Sequence, residues 1–266
     1  MPLAVCATPI GNLDDVTLRV LRELAEADLV LCEDTRHTRR LLERHGLDAR
    51  LLSYHRHNEA QRTAEILPRL RTGERVALVS DAGLPGISDP GARLIASALD
   101  ASIAVTVLPG ASAVETSLVA SGLVAERYQF LGYLPRGERA LEALGTELAG
   151  WPHAAVAYES PLRLPRSLAV LAGALPERAA AVCRELTKRF EEIARGTLAE
   201  LAARFAEAPR GEVTLVLGAS PVARDERTAS EAVAELVGAG LSRRRAADVV
   251  GRLTGVPRNR LYRSSL

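Results

Sequence analysis

Short apolar runs alternate with amphipathic stretches along most of this 266-residue chain. The apolar runs have the length of buried strands, and the stretches between them place apolar residues at the spacing of one helix face. Because parallel strands must be joined by long crossovers, this alternation predicts a mostly parallel sheet covered by helices. The loops that follow four of the early strands should then lie together at one edge of the sheet, where open α/β sheets bind their ligands.

The alternation begins again after Gly122, and this restart divides the chain. We therefore predict the α/β fold class with two α/β domains, the first over residues 1–121 and the second over residues 122–222. A polar linker over residues 220–227 leads to further helical patterns, so residues 223–266 should form a small helical extension.

Composition narrows the class of protein. The hydrophobic content of 47% and the charged content of 25% are those of an ordinary soluble globular protein. No apolar run has the length of a membrane span, and the first residues lack the pattern of a secretory leader, so we expect a cytoplasmic protein. The three cysteines, Cys6, Cys32 and Cys183, lie far apart in apolar runs, which is typical of reduced core thiols.

The cationic residues are distributed unevenly. Residues 241–266 contain seven arginines and one acid, Asp248, and so form a basic patch. Lys188 is the only lysine among 34 cationic residues. Arginine stays protonated in proteins whereas lysine can lose its proton, so either this position needs an ammonium group or the lysine is retained by chance.

The loop over residues 79–91 contains three glycines, two prolines and two aspartates, Asp81 and Asp89. Glycine allows the backbone to approach a ligand closely, and the carboxylates can accept hydrogen bonds, so we interpret this segment as a ligand loop. The simpler interpretation is a strand-to-helix turn in which Ser88 or Asp89 caps a helix that starts at Pro90.

Several common sites are excluded by their patterns. The turn over residues 8–12 has one glycine where the dinucleotide fingerprint has three, and neither a phosphate loop nor a G-x-S-x-G nucleophile motif occurs. His55 and His57 could bind a metal with neighbouring carboxylates, but their spacing does not suit a helix start, so we predict no metal site. Together with Asn58 these histidines are better suited to stacking on RNA bases or binding phosphates.

Seven motifs then occur in register, and with them the chain closely resembles the small-subunit rRNA methyltransferases of the tetrapyrrole methylase superfamily. The motifs are A-T-P-I-G-N-L at residues 7–13, E-D-T-R at 33–36, H-N-E at 57–59, V-S-D-A-G at 79–83, L-P-G at 108–110, Y-E-S at 158–160 and R-E-L-T-K at 184–188. The resemblance covers nearly the whole chain, including the basic tail.

The resemblance implies two α/β domains with S-adenosylmethionine in the cleft between them. It also implies 2′-O-methylation of a cytidine, cytidine 1402 in the usual RNA numbering, in 16S rRNA of the small ribosomal subunit, and a homodimer. It places the cofactor against turns of the first domain and strand ends of the second. These residues are Pro9, Ile10, Asp81, Ala82, Gly83, Leu84, Ser112, Ala113, Tyr158 and Thr214.

The ligand loop departs from the family pattern at Leu84 and Gly86, where members usually carry Thr and Leu. Outside this loop, Ala111 replaces a residue such as Pro. With the domain division, the family match separates the two aspartates of this loop. We expect Asp81 to turn into the cleft and Asp89 to cap the helix that begins at Pro90.

The reaction requires the ribose oxygen to be aligned with the methyl group and its proton to be removed. We predict Lys188 as the base, because a lysine desolvated beside Arg184 has a lowered pKa. Glu185 would orient the lysine or accept a hydrogen bond from the ribose. The alternative is that Lys188 only binds a phosphate.

Dense arginine beside an RNA-modifying domain favours contacts with RNA phosphates. The predicted RNA-binding residues are Arg36, His55, His57, Asn58, Arg243, Arg244, Arg245, Arg258 and Arg260. The tail could instead be a helix-turn-helix with Gly255 in its turn, or a helix pair covering a seam of Ala246, Val249, Val250 and Leu253. For the whole protein, the alternatives are a tetrapyrrole methyltransferase, which the basic tail disfavours, and a non-catalytic RNA-binding assembly factor.

Overall fold

The computed structural model describes residues 2–124, 126–220, 226–254 and 256–264. The strands in these residues are β1 Leu3–Cys6, β2 Leu29–Cys32, β3 Leu51–Ser53, β4 Val76–Val79, β5 Val105–Leu108, β6 Tyr128–Tyr133, β7 Ala154–Glu159, β8 Ala179–Arg184, β9 Glu192–Thr197 and β10 Val213–Leu217. The helices are α1 Leu18–Glu26, α2 Thr35–Arg44, α3 Glu59–Arg71, α4 Ala92–Asp100, α5 Ala113–Ser121, α6 Glu138–Gly150, α7 Leu164–Ala174, α8 Leu198–Arg204, α9 Glu226–Gly238, α10 Arg243–Thr254 and α11 Arg258–Ser264.

The first sheet has the strand order β3-β2-β4-β1-β5, and every pair in it is parallel. All residues of β1, β2 and β4 are buried, as expected of strands covered by helices on both faces. The predicted parallel sheet is therefore confirmed. The loops after β1, β2, β4 and β5 leave the same edge, because the strands run in one direction.

The second sheet has the order β6-β7-β10-β8-β9 and is mixed. Only β6 and β7 are parallel, and the other three pairs are antiparallel. Strand β9 was not predicted, because its sequence Glu-Ile-Ala-Arg-Gly-Thr is polar and only Ala194 in it is buried. An edge strand can carry such a sequence, since just one of its sides is paired.

Helix α5 lies before the predicted domain boundary but packs against the second sheet. Its Val114 and Leu118 join a core with Ala181, Cys183 and Val216 of that sheet. The Sγ of Cys183 contacts the carbonyl of Ser117 in α5. The first domain therefore supplies one of the layers that cover the second sheet, and the two α/β units share apolar surface.

The last three helices pack around a core of their own. Its buried side chains are Ala229, Val233, Ala246, Ala247, Val250, Val256 and Leu261. Of the predicted seam, Ala246 and Val250 are buried, whereas Leu253 is 81% exposed. The predicted boundary at residues 222 and 223 and the predicted turn residue Gly255 lie outside the described residues. No helix in the described part of the chain is both long and apolar enough to cross a membrane.

One buried arginine, Arg178, donates hydrogen bonds to several backbone carbonyls at one end of the second sheet. Arg178 is 3% exposed, and its guanidinium donates to the carbonyls of Gly218, Leu148, Trp151 and His153 at 2.7 to 3.2 Å. These acceptors come from two separate parts of the chain, residues 148–153 and Gly218. Arginine suits this position, because its fork of five donors can serve several carbonyls at once.

We therefore predict that Arg178→Met lowers the free energy of unfolding by about 3 kcal/mol or more, since buried carbonyls lose their donors. Urea denaturation measures the change. Arg166→Met is the matched control, because Arg166 makes an exposed ion pair with Glu138 whose loss costs below about 1 kcal/mol. A similar small loss for both variants would contradict the role of Arg178.

Candidate active-site cleft

A cavity of about 920 Å³ lies between the two sheets. The first domain contributes the turns that follow β1, β4 and β5. The second contributes residues of β6 and β7 and the beginning of β10. Because the carboxyl ends of the parallel strands share one edge, the three turns meet there, as the sequence predicted. The volume is that of a pocket for a small molecule.

The ligand loop is held by the turns on either side of it. Thr8 N donates to Gly83 O at 2.8 Å, and Gly83 N donates to Thr8 O at 3.1 Å. Gly83 has a φ of +78°, in the left-handed region that favours glycine. The Oδ1 of Asp81 accepts a hydrogen bond from Asp34 N at 3.1 Å. Asp81 thus lines the cavity in an orientation supported by the turn after β2.

Asp89 does not cap the following helix, so that prediction was wrong. The N-cap of α4 is Gly91, with a φ of +136° that an L side chain rarely adopts, and its N–H donates to Glu59 Oε1 at 3.1 Å. Ser88 also has a positive φ, +65°, so the backbone turns before the helix starts. As a result Asp89 is half-buried in the lining of the cavity.

The surroundings of Asp89 are unusual for a carboxylate. Burial raises the pKa of Asp89 to about 6, and the negative charges of Glu33 and Asp81 act in the same direction. The neighbouring Ser80 hydroxyl and the charge of Arg56 oppose this rise in pKa but do not cancel it. Burial and Asp81 also raise the pKa of Glu33. The first-domain edge of the cavity is therefore acidic and partly desolvated.

Aromatic side chains are concentrated on the opposite wall. The chain has nine Phe, Tyr and Trp residues, and four of them, Tyr128, Phe130, Tyr133 and Tyr158, line this cavity. The ring centroids of Phe130 and Tyr158 lie 5.0 Å apart and those of Tyr133 and Tyr158 lie 5.6 Å apart, both edge to face. Tyr133 is 63% exposed, so the row of rings reaches the mouth of the cavity. Such a wall suits a flat, partly apolar ligand.

Nine of the ten residues predicted for the cofactor line the cavity. They are Ile10, Asp81, Ala82, Gly83, Leu84, Ser112, Ala113, Tyr158 and Thr214. Pro9 is not part of the lining. Of the three departures from the family pattern, Leu84 and Ala111 line the cavity, whereas Gly86 lies against α4, where an added Cβ would be 3.5 Å from Ala92 N.

Sequence reasoning assigned Asp89 to a helix cap and missed other polar groups of the lining, including Glu115, Glu159 and Glu212. Glu159 lies inside the Y-E-S motif and could have been noticed there. No local motif marks Glu115 or Glu212. They reach the cavity only because the helix or strand beside each residue packs there.

Lys188 was predicted as the base because its pKa was expected to be lowered beside Arg184, and that expectation was wrong. Its Nζ lies 3.0 Å from Glu185 Oε1 and 2.9 Å from Glu212 Oε2. Burial lowers the pKa of Lys188, but the hydrogen bonds to Glu212 and Glu185 outweigh that effect and leave the pKa above its usual value. Arg184 instead donates to Glu192 Oε2 at 2.9 Å. Lys188 is therefore a charged ion-pair partner, and it lines a separate groove of about 440 Å³ instead of the large cavity.

The segment around Lys188 docks onto the first turn of the chain. Thr187 Oγ1 accepts a hydrogen bond from Asn12 N at 2.9 Å. Glu185 and Thr187 have positive φ values of +51° and +65°, which marks a tightly bent loop. A Cβ at Gly11 would lie 2.6 Å from the carbonyl oxygen of Leu186, so only glycine allows this approach. Leu186 belongs to the cavity lining, and the docking thereby shapes the cavity.

The predicted RNA-binding residues lie outside the cavity lining. Arg36 is largely exposed and pairs with Asp34, and His57 is exposed. Asn58 has a structural role, since its side chain accepts from His55 N at 2.8 Å and donates to Ser53 O at 3.1 Å. In the part of the chain that the structure describes, no group of three or more His, Cys, Asp or Glu could hold a metal ion.

The remaining predicted RNA-binding residues are on the last two helices. Arg243, Arg244 and Arg245 form the first turn of α10, and Arg258 and Arg260 lie in α11. Arg244 and Arg245 are exposed, and Arg258 lies 3.8 Å from Asp248. Cations at one end of α10 thus face solvent, although a helix N-terminus does not favour positive charge. This is a location from which phosphates could be contacted.

The fold and the cleft define a tetrapyrrole methylase. The family described as Tetrapyrrole (Corrin/Porphyrin) Methylases matches residues 2–202, which contain most of both sheets. The solved structure of uroporphyrin-III C-methyl transferase from Thermus thermophilus, complexed with S-adenyl homocysteine, superposes with a TM-score of 0.59. It is 19% identical, with 81% of this chain and 96% of that chain covered, so the likeness concerns the fold.

The particular family follows from more similar relatives. "Ribosomal RNA small subunit methyltransferase I" of Micromonospora olivasterospora is 44% identical over 265 residues, covering 98% of this chain and 85% of the relative. The protein of the same name from Synechocystis sp. is 42% identical over 270 residues, covering 99% and 97%. This chain belongs to the ribosomal RNA small subunit methyltransferase I family, a branch of the tetrapyrrole methylases.

The contact at Gly11 generates a prediction. Gly11→Ala should lower the free energy of unfolding by about 1 to 3 kcal/mol, because the added Cβ forces the segment 186–188 away. Denaturation measures this loss, and faster hydrogen exchange at Asn12 N reports the broken contact with Thr187. Gly173→Ala is the control, since a Cβ there meets nothing within 4 Å. If Gly11→Ala is as stable as Gly173→Ala, the docking does not have the importance assigned to it.

Proposed function

We propose that the protein transfers the methyl group of S-adenosylmethionine to the 2′-hydroxyl of cytidine 1402 in 16S rRNA of the small ribosomal subunit. One observation carries the proposal. In a chain of this family, nine residues assigned to the cofactor by resemblance come from distant parts of the sequence and line one cavity. The acceptor is supported by the relatives, which bear the name of small-subunit rRNA methyltransferases.

The residues present fit S-adenosylmethionine. Ile10 and Leu84 offer apolar surface for the adenine, and the aromatic wall around Tyr158 can cover its other side. Asp81 offers a carboxylate for the polar groups of the ligand, and the glycine at position 83 keeps the backbone free of a side chain beside it. When bound, the cofactor supplies an electrophilic methyl group on a sulfonium.

The chain contributes position and environment to the reaction. A ligand that binds in this cleft loses part of its contact with water, and this strengthens its polar interactions with the protein. Its walls belong to two packed units, so they can hold the ribose oxygen in line with the methyl group. Exposed Tyr133 lies at the mouth, where an unstacked RNA base can reach it.

RNA binding is assigned to charged surfaces outside the cavity. Arg36 and His57 follow strands whose carboxyl ends lie at the same sheet edge as the cavity turns. The arginines at the start of α10 add a second basic surface. Contacts of this kind fix the position of RNA through its phosphates without reading its sequence.

The test is transfer of a labelled methyl group from S-adenosylmethionine to small subunits purified from cells that lack the protein. We expect one methylated ribose, mapped to cytidine 1402, and the same experiment with naked 16S rRNA identifies the preferred form of the substrate. Cofactor binding in calorimetry without any transfer would favour the non-catalytic assembly factor. Methyl transfer to a tetrapyrrole and none to RNA would favour the alternative function as a tetrapyrrole methyltransferase.

The ion pairs of Lys188 generate a prediction. Lys188→Arg should keep methyl transfer within about threefold of the wild-type rate, because a guanidinium can hold both Glu185 and Glu212 although it cannot lose a proton. Lys188→Met, which leaves both carboxylates without this partner, is the comparison and should lower stability. A loss of about 100-fold in the arginine variant, with cofactor affinity unchanged, would restore the lysine as base.

The basic surface generates a second prediction. Changing Arg243, Arg244 and Arg245 together to Gln should weaken binding to 16S rRNA and reduce the slope of log affinity against log salt by about 2, as for three lost phosphate contacts. Filter binding over a range of salt concentrations measures both. The control removes Arg19 and Arg22, two exposed cations of α1. Equal slopes in the two variants would show that α10 does not contact RNA.

A further inference from the structure

We propose that the carboxylate of Asp89 accepts the proton of the ribose hydroxyl during methyl transfer. This inference rests on the proposed function and names a catalytic residue for it. Five carboxylates line the cavity, namely Asp81, Asp89, Glu115, Glu159 and Glu212. A group that removes a proton must lie in the cavity, be ionised, and have an oxygen that the substrate can approach.

Two of the five carboxylates have cationic partners. Glu159 is 2% exposed, and it is held by Arg163 Nη2 at 2.6 Å, by Ser160 N at 2.7 Å and by the Ser167 hydroxyl. Glu212 pairs with Lys188. The guanidinium of Arg163 and the ammonium of Lys188 therefore occupy these two carboxylates, which leaves them less free to receive a substrate hydroxyl.

Two other carboxylates, Glu115 and Asp81, accept hydrogen bonds from neighbouring donors. Glu115 accepts hydrogen bonds from the hydroxyls of Ser112 and Tyr128, and these lower its pKa. Asp81 accepts from Asp34 N and so supports the ligand loop. Both are suited to holding the ligand or the loop in position.

Asp89 differs from the other four carboxylates in the groups that surround it. From the first domain it faces the acids Glu33 and Asp81 and the hydroxyl of Ser80, and Arg56 supplies the opposing positive charge. From the second domain it faces Tyr133 and Tyr158, whose pKa values rise in part through its charge. Asp89 therefore lines the same cavity as the aromatic wall, close enough to Tyr133 and Tyr158 for its charge to act on both. A ribose whose base stacks at the mouth would come close to it.

The step is balanced within the cavity. The 2′-oxygen forms a bond to the methyl carbon while the bond between that carbon and the sulfonium sulfur breaks, and the electron pair of this bond stays on sulfur. The hydroxyl proton moves to an Oδ of Asp89, which becomes a neutral carboxylic acid and later releases the proton to water. With a pKa of about 6, the carboxylate is ionised at neutral pH and more basic than an ordinary aspartate.

The first test is Asp89→Asn, which keeps the shape and removes the basicity. We expect kcat to fall by about 10² to 10⁴-fold, the range of general-base contributions. Calorimetry should give an unchanged affinity for S-adenosylmethionine. The melting temperature should stay or rise, because a carboxylate close to two others is removed. Near-normal kcat in this variant would overturn the inference.

The second test changes charged neighbours of Asp89 and measures how the rate of methyl transfer depends on pH. The rate should fall as the pH drops through about 6, since protonation removes the acceptor. Glu33→Gln removes a repelling charge and should shift this acid limb to lower pH, whereas Arg56→Gln should shift it to higher pH. A merely structural Asp89 would leave the limb in place in both variants, and unshifted limbs would contradict the proposal.

A readout without turnover comes from carbon-13 NMR of labelled aspartate in the free protein. The signal absent from Asp89→Asn identifies the residue, and it should titrate near pH 6 and move with Glu33→Gln and Arg56→Gln in the same directions as the rate. Titration near the ordinary value of about 4 would overturn the inference. If the wild-type protein methylates no RNA, the proposed function fails; if it does and Asp89→Asn does so equally well, only the role of Asp89 fails.

Discussion

The packing of α5 on the second sheet is the interaction on which the cleft depends. Val114 and Leu118 of this helix are buried among side chains of β7, β8 and β10, and Ile10 and Leu186 extend the same core toward the cavity. Arg195 from β9 also donates to the carbonyl of Ser121 at the end of α5. Apolar surface shared by two sheets fixes their distance, because separating them would expose it to water. The cavity walls therefore belong to a single packed body.

The first sheet and the second sheet contribute different kinds of residue to the cavity. The parallel sheet delivers the loops after β1, β4 and β5 to one edge, so backbone groups and small residues surround the ligand site. The mixed sheet presents strand faces, and these carry larger side chains, such as Tyr133 and Tyr158, toward the same space. The site thus has one wall of turns and carboxylates and one wall of rings, which is compatible with a ligand that is polar at one end and flat at the other.

Sequence patterns were sufficient for the elements whose signal is local. The parallel sheet followed from alternating periodicity, and the strand-end turns followed from glycine, proline and motif positions. They were insufficient for β9, a polar edge strand stabilised by pairing with β8. They were also insufficient for Asp89, whose position depends on positive φ values at Ser88 and Gly91. Such conformations are accessible to several sequences and are selected by the surrounding contacts.

The sequence by itself determined the fold class, the family and the set of turns that line the cleft, because periodicity and short motifs act over a few neighbouring residues. Only the tertiary structure decided the ionisation of the groups in and around that cleft. The partners of Lys188 include Glu212, 24 residues away, and of the two acids around Asp89, Glu33 follows a different strand, β2. A pKa depends on burial and on charges within a few ångströms, and these distances arise only when remote segments pack together.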